Sequence, residues 1–237
     1  MKQTYIILFL FFSLFLYGQY SHAQFVVAQD TIRGRIDFCP RPGDLTNRIL
    51  VPNDSVFYMY PPDLEIDPWR YVDFYTPERS TRRGYIRGTD LMRIDDYEMI
   101  EVEKLSSHGT VSFKDKDVRV DVAVTAISTK DISTKQNGNK FIINGKYAKG
   151  VSNGRSPRLK YRSISVSIKG RNIVFPKKVY EHLLEPEIDN MAVYYNTQKQ
   201  IVYILADNGG SGAPYKVLWT VSPKGVLNVY IFDPSLK

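Results

Sequence analysis

Few side chains in this sequence have the chemistry of a catalytic or metal site. The chain has three histidines, at positions 22, 108 and 182, and a single cysteine, Cys39. A zinc ion needs three or four such ligands, and none of these residues has the H-x-x-x-H or C-x-x-C spacing that builds a site. We therefore expect no metal ion, and the sequence predicts no other cofactor.

Nucleophilic catalysis is also disfavoured. A cysteine hydrolase holds its thiolate at the N-terminus of a helix, beside a histidine that acts as base. Cys39 instead precedes Pro40 in a stretch without helical periodicity, and no G-x-S-x-G sequence presents a serine nucleophile. Cys39 is predicted to be a small buried apolar residue, with a reactive thiol as the alternative.

Paired carboxylates are the remaining catalytic chemistry to consider. Glycoside hydrolysis needs two of them across a cleft, one in an apolar pocket that raises its pKa. The clusters with suitable spacing are Glu101 with Glu103, and Glu185 with Glu187 and Asp189. Both clusters are predicted in exposed segments, where solvated charges explain them. The sequence therefore indicates a protein that is not an enzyme.

The glycine-rich loop Asn208–Pro214 does not match a phosphate-binding loop. A P-loop ends in G-K-[ST] before a helix, and a dinucleotide loop has G-x-G-x-x-G inside a βαβ unit. Here the loop joins two predicted strands and has neither pattern. We predict a flexible connection in which glycine supplies the positive φ angles.

The first 23 residues have the three-part layout of a secretory signal peptide. Lys2 is followed by the apolar run Tyr5–Tyr17, and small residues at Ser21 and Ala23 precede Gln24. The apolar run is too short for a permanent membrane span. We expect cleavage near Ala23, export to the periplasm or the exterior, and no membrane span in the mature chain.

Charge divides the mature chain into two parts. Residues 24–103 carry 15 acidic and 10 basic side chains, and every basic one is arginine. Residues 104–237 carry 21 basic and 10 acidic side chains, and sixteen of the basic ones are lysine. This change in sign and in the type of cation predicts a domain boundary near residue 104.

A long basic stretch lies in the second part. Residues 132–180 hold twelve lysines and arginines and no acidic residue. Such a stretch is typical of a surface for an anionic polymer or an acidic protein, although a solvated sheet face with a lysine-rich loop explains it equally well. We do not expect a nucleic-acid ligand. The residues predicted to contact an anionic partner are Lys146, Lys149, Arg155, Arg158, Lys160 and Arg162.

Part of the first region resembles a bacterial SH3-like domain. Residues 30–97 predict short strands separated by turns, and Trp69–Tyr75 alternates apolar and polar side chains as a half-buried strand does. In the SH3-like family a tryptophan strand is followed by a G-Y-[VI] strand and a closing leucine. The matching residues here are Trp69-x-Tyr71-Val72, Gly84-Tyr85-Ile86 and Leu91. The resemblance implies a small SH3-like barrel over residues 28–97.

The same resemblance implies a binding site. In bacterial SH3-like domains a groove of aromatic and polar residues engages cell-wall peptides. For Trp69, packing in the core is an equal alternative to binding. The residues that the resemblance places in such a groove, around Pro61-Pro62, are Tyr58, Tyr60, Trp69 and Tyr75.

Residues 104–237 predict a second, basic antiparallel β domain built of hairpins, among them Ala192–Leu205 and Tyr215–Phe232. One short helix is predicted at Lys177–Leu184, after a proline at a tolerated position. The stretch Asn208–Trp219, a glycine-rich loop followed by Y-x-V-x-W, resembles a C-terminal domain of uncharacterised exported bacterial proteins. That resemblance implies a fold neighbour and no activity.

Together these patterns predict an all-β, exported binding protein of the bacterial cell envelope. The SH3-like module is expected to contact a cell-wall peptide or an envelope protein, and the basic domain an anionic partner such as a polymer. An exported immunity protein, or an inhibitor of a toxin or wall-degrading enzyme, is the alternative. A cell-wall hydrolase ranks last, because no nucleophile has a matched base.

Overall fold

The computed structural model describes residues 24–61, 66–75, 81–128, 135–137, 140–151 and 156–233, with the side chains of residues 75, 135–137 and 140 left out. The predicted signal peptide lies outside the described residues. Their regular structure consists of antiparallel strands and single turns of 3-10 helix, which confirms the all-β prediction. No helix in this part of the chain is both long enough and apolar enough to cross a membrane.

The chain divides into two compact units, one ending at Arg93 and the other beginning at Ile94. In the first unit, β6–β5–β4–β1–β7 form one sheet in that order, and β2 and β3 form a hairpin. Within the described residues β6 and β7 are the two ends of the five-stranded sheet, which does not close on itself. The strands are β1 (Gln24–Ala28), β2 (Arg35–Phe38), β3 (Ile49–Pro52), β4 (Val56–Met59), β5 (Trp69–Tyr75), β6 (Thr81–Arg87) and β7 (Leu91–Arg93).

One apolar cluster of the first unit lies on the face of this sheet that carries Phe57 and Phe74. Because successive side chains of a strand point to opposite faces, Phe57 of β4 shares its face with Phe74, its partner on β5. The Phe57 ring centroid lies 4.8 Å from that of Phe74 and 6.2 Å from that of Phe38 on β2. The hairpin β2–β3 therefore covers this face, adding Ile36 and Val51 to the core.

Gly84 allows the hairpin to approach β6. The backbone NH groups of Cys39 and Tyr85 donate to each other's carbonyl oxygens at 2.9 and 2.7 Å. A Cβ atom on Gly84 would lie 2.5 Å from the Cys39 carbonyl oxygen and 2.7 Å from Cζ of Phe38. The glycine of the Gly84-Tyr85-Ile86 motif is thus required for a close approach between strands.

The second unit contains two five-stranded sheets, with strand orders β16–β15–β11–β10–β9 and β20–β19–β18–β17–β8, and a small sheet β12–β13–β14. Buried residues of the two large sheets, such as Val120 and Trp219, belong to one apolar cluster, so the sheets pack face to face. The strands are β8 (Glu98–Met99), β9 (Val102–Ser106), β10 (Thr110–Lys114), β11 (Val118–Ala126), β12 (Lys135–Asn137), β13 (Lys140–Ile143), β14 (Lys146–Tyr147), β15 (Leu159–Ile168), β16 (Arg171–Ile173), β17 (Met191–Asn196), β18 (Ile201–Asn208), β19 (Tyr215–Ser222) and β20 (Gly225–Phe232).

The helix predicted at Lys177–Leu184 is wrong. The structure has one turn of 3-10 helix at Lys177–Val179, followed by turns. Backbone groups in this segment bond to neighbouring strands: the Val179 carbonyl accepts from Trp219 Nε1 at 3.2 Å, and the Leu184 NH donates to Lys149 at 3.0 Å. Tertiary partners therefore replace the bonds that a longer helix would make.

Candidate binding face

Strands β5 and β6 place six side chains on one face of the first unit's sheet. Their register pairs Trp69 with Arg87, Tyr71 with Tyr85, and Asp73 with Arg83. Residues two apart on a strand share a face, and residues directly opposite each other do so as well. We call this set the tyrosine–arginine face; its members are Trp69, Tyr71, Asp73, Arg83, Tyr85 and Arg87.

Each cross-strand pair on this face interacts through a different kind of contact. The Arg87 guanidinium carbon lies 5.5 Å from the Trp69 ring centroid, a cation–π geometry. The Tyr71 and Tyr85 ring centroids are 5.1 Å apart and tilted by 47°. The tyrosine pair therefore lies between a cation–π pair on one side and an ion pair on the other.

The ion pair rests on a buried carboxylate. The Asp73 side chain is 4% exposed and accepts from Arg83 Nε at 3.1 Å. Its other oxygen accepts from the Tyr60 hydroxyl at 2.7 Å. Burial, and then the hydrogen bond to Asp73, raise the pKa of Tyr60 above its ordinary value, so the hydroxyl remains a donor at neutral pH. Two donors thus compensate the buried charge.

The outer layer of the face is accessible to a partner. The Arg83 side chain is 48% exposed, Arg87 is exposed, and Tyr71 and Tyr85 are half-buried. Tyrosine and arginine are the residue types, with tryptophan, that dominate binding energy in protein interfaces. The arrangement can bind a ligand by stacking and by donating hydrogen bonds.

Most of the aromatic residues predicted for the groove lie on this same face of the sheet: Trp69 is one of its members, and Tyr58 of β4 pairs with Asp73. Tyr58 and Tyr60 are buried, with ring centroids 5.8 Å apart, and the Tyr60 ring lies 5.2 Å from that of Tyr71. Trp69 is buried under Arg87. The side chain of Tyr75 lies outside the described residues. The burial gives the first three a packing role, and their binding role stays a prediction.

Five of the six members of this face were missing from the predicted site residues: Tyr71, Asp73, Arg83, Tyr85 and Arg87. The signal was the period-two spacing Trp69-x-Tyr71-x-Asp73, which puts these residues on one face of a strand. The partners on β6 could not be assigned, because the register across the hairpin is not readable from the two strands alone.

The basic residues predicted to contact an anionic partner are partly engaged within the second unit. Lys149 Nζ lies 2.7 Å from the Asp233 carboxylate, and Lys146 Nζ donates to the Lys178 carbonyl oxygen at 2.8 Å. Lys160 and Arg162 lie on β15, half-buried and exposed respectively. Arg155 lies outside the described residues.

Acidic residues from distant parts of the sequence lie against this basic set. The exposed Arg158 guanidinium lies 3.7 Å from Glu185, whose carboxylate also accepts from the Arg158 backbone NH. The stretch of sequence without acidic residues is thus partly neutralised once the chain folds. Arg158 and Arg162 remain accessible, and an anionic partner stays a prediction.

The cysteine and one of the carboxylates considered for catalysis are held by burial and by an ion pair. Cys39 is fully buried, and burial raises the pKa of its thiol, with smaller contributions from Asp37 and Asp44. Glu103 lies 2.9 Å from Arg119. Among the residues that the structure describes, no three histidines, cysteines or carboxylates cluster as metal ligands would.

The tyrosine–arginine face combines a buried, doubly hydrogen-bonded carboxylate with accessible arginine and tyrosine side chains. No protein-family model, no curated protein and no solved structure matches this chain.

Proposed function

We propose that this protein is an exported, non-enzymatic binding protein of the bacterial cell envelope. Its first unit, an SH3-like module, contacts a cell-wall peptide or a protein through the tyrosine–arginine face, and its basic second unit contacts an anionic partner. The observation that carries the proposal is the exposed Arg83 guanidinium, held at the surface by the buried Asp73 carboxylate.

Pre-ordering of the face supports a binding role. A flexible arginine loses side-chain entropy when a ligand immobilises it, and this loss weakens affinity. Here Asp73 and Tyr60 restrict Arg83, and Trp69 restricts Arg87, before any ligand arrives. A surface of this kind binds more tightly than the same residues on a mobile loop.

The SH3-like assignment is supported by the residues of the motif. Gly84 has a packing reason to be glycine, Ile86 is buried in the core, and Leu91 packs against the same core. The short antiparallel strands and the covering hairpin support a small all-β module, and within the described residues its five-stranded sheet is open.

The charge of the second unit supports an anionic partner. Residues 104–237 carry a surplus of eleven positive charges, from 21 basic and 10 acidic side chains. Exposed Arg158 and Arg162 contribute to this field at the surface. Contacts of this type weaken as ionic strength rises.

A protein-directed role, as an immunity protein or inhibitor, is the second candidate, and the edge strand β9 favours it. Val102 and Leu105 pair with Phe113 and Val111, which are buried in the core, yet they are 51% and 52% exposed. Within the described residues β9 is the edge of its sheet. An open edge with exposed apolar side chains is suited to strand addition by a partner protein.

Co-sedimentation of the mature protein with purified cell-wall sacculi, at low and at high salt, tests the proposal. We expect binding that falls but persists at high salt, and that is lost when Tyr71 and Tyr85 are both replaced by alanine. Replacement of Ile32, which is 94% exposed and outside the face, is the matched control and leaves binding unchanged.

Absence of sedimentation at either salt concentration contradicts wall binding. A partner captured from envelope extract at fixed stoichiometry would then assign the protein-directed role. Loss of binding in the Ile32→Ala control as well would show that the tyrosine–arginine face is not the binding surface.

A further inference from the structure

Arg83 offers its two terminal nitrogens as hydrogen-bond donors on the tyrosine–arginine face. Its Nε is occupied by Asp73 at 3.1 Å. Within the described residues Nη1 and Nη2 donate no hydrogen bond, while the side chain is 48% exposed. Because Nε is occupied, the N–H groups on Nη1 and Nη2 are the part of the planar guanidinium that remains for a ligand.

The support beneath Arg83 holds that fork in place. Asp73 accepts from Arg83 with one oxygen and from the Tyr60 hydroxyl with the other, at 2.7 Å. Asp73 and Tyr60 are both buried. The guanidinium is therefore fixed by a carboxylate that is itself fixed, the two-layer support that precise recognition sites require.

We infer that Arg83 is a receptor for a single carboxylate group on a peptide, bound end-on through its two terminal nitrogens beside the Tyr71–Tyr85 pair. The inference rests on the proposed binding function and names the chemical group recognised there. Planar guanidinium and planar carboxylate match in bidentate geometry, and charge-assisted bonds of this kind are stronger than neutral ones.

The surroundings of Arg83 favour a monovalent anion attached to a polypeptide. The charge of Asp73 offsets part of the guanidinium charge, so a doubly charged group such as phosphate meets a weaker field than at an isolated arginine. Tyr71 and Tyr85 offer ring surface for the apolar atoms next to the carboxylate. Arg87 lies four residues further along β6, about 13 Å at 3.3 Å per residue, within the span of an extended peptide.

A peptide carboxylate comes either from the C-terminus or from an acidic side chain. Three probes separate these sources: N-acetyl-trialanine with a free C-terminus, the same peptide as its C-terminal amide, and an amidated tripeptide with a central glutamate. Each is titrated into the full mature protein and followed by NMR. We expect one or both of the acidic probes to bind at least about tenfold more tightly than the neutral amide.

Arg83→Lys is the diagnostic variant, because lysine keeps the charge and loses the fork. We expect it to reduce the preference for the acidic probe at least about fivefold. Arg48→Lys is the matched control: Arg48 also forms an ion pair through Nε, 3.0 Å from Asp37, but its Nη1 donates to the Leu45 carbonyl oxygen. This control keeps the wild-type preference.

The wild-type comparison needs no variant, so it holds even if Arg83→Lys fails to fold. Equal binding of the acidic and neutral probes overturns the inference. Equal losses in Arg83→Lys and Arg48→Lys also overturn it, since they would indicate a general charge effect. A third outcome separates the inference from the proposed function. If sacculus binding depends on Tyr71 and Tyr85 but the protein shows no preference for acidic probes, the carboxylate receptor is rejected and the proposed function is retained.

Discussion

Asn208 shows how one polar side chain can join distant segments of the second unit. Its Oδ1 accepts from the Tyr161 hydroxyl of β15 at 3.1 Å and from the backbone NH of Glu187 at 3.0 Å. The residue is 3% exposed, so neither donor can turn to water if the amide is removed. Asn208 thus pins β15, the end of β18 and the loop at Glu187 to one point.

Replacing Asn208 by alanine is expected to lower the free energy of unfolding by about 2–4 kcal/mol, because the buried Tyr161 hydroxyl and the part-buried Glu187 NH lose their acceptor. Tyr161→Phe is the matched control: it removes one of these hydrogen bonds and leaves Asn208 bonded to Glu187. We expect it to cost about 1 kcal/mol. Urea denaturation of the two variants measures the difference. Equal losses would show that the amide has no role beyond its bond to Tyr161.

At the scale of elements, the β2–β3 hairpin depends on its contact with β6. That contact consists of the paired backbone bonds between Cys39 and Tyr85, and it passes directly over Gly84. The hairpin carries Ile36, Phe38 and Val51 into the core of the first unit. Displacing it would expose apolar surface on both partners.

Gly84→Ala is expected to destabilise the first unit by about 2–4 kcal/mol, since its Cβ would meet the Cys39 carbonyl and the Phe38 ring inside contact distance. Gly88→Ala is the matched control, because a Cβ there meets only the Arg70 side chain, at 3.3 Å. Thermal unfolding of both variants measures the effect. Similar midpoints would mean that β2–β3 can shift without loss of packing.

Strand patterns in this sequence were readable where alternation and turn residues agreed. The hairpin predicted at Tyr215–Phe232 is present as β19 and β20, and the one predicted at Ala192–Leu205 is present as β17 and β18. The helix predicted at Lys177–Leu184 is absent, although Val179, Leu183 and Leu184 have the spacing of one helical face. Leu183 and Leu184 are buried in bridges to Lys149 and Lys160, contacts between residues far apart in sequence.

The candidate site was predictable in residue type but not in depth. The resemblance to bacterial SH3-like domains implied a groove at Tyr58, Tyr60, Trp69 and Tyr75. The first three lie on or beside the tyrosine–arginine face, and the side chain of Tyr75 lies outside the described residues. Local sequence does not tell whether a tyrosine of this face is half-buried, as Tyr71 is, or fully buried, as Tyr60 is. That distinction depends on the pairing of β4, β5 and β6.

At the scale of the whole molecule, a count of charge along the sequence overstates the free charge of the folded chain. Asp233 and Glu185 lie far in sequence from Lys149 and Arg158, and folding brings each pair together. Lys149, a member of the first pair, also bonds the one buried histidine among the described residues: the His182 backbone carbonyl accepts from the NH of Lys149 at 2.9 Å.

His182 makes the stability of the protein depend on pH. Its Nδ1 has no hydrogen-bond partner in the described structure, and burial, followed by the charges of Lys146 and Lys149, lowers its pKa from 6.5 to about 4. The folded state therefore keeps the imidazole neutral, while the unfolded chain takes up a proton as the pH falls below 6.5. The free energy of unfolding must fall between pH 6.5 and 4, by at most about 3 kcal/mol.

His182→Leu should flatten this part of the stability profile, because leucine takes up no proton. His108→Gln is the matched control, since His108 is exposed, and it should keep the wild-type slope. Urea denaturation at a series of pH values measures the slope for each variant. The hydrogen bond from the Arg33 backbone is the main cause that lowers the pKa of Asp30 to about 2. Asp30 therefore changes the free energy of unfolding below pH 4, outside the range in which His182 is tested. A slope that persists in His182→Leu would assign the acid sensitivity to other groups and show that His182 is protonated in the folded state.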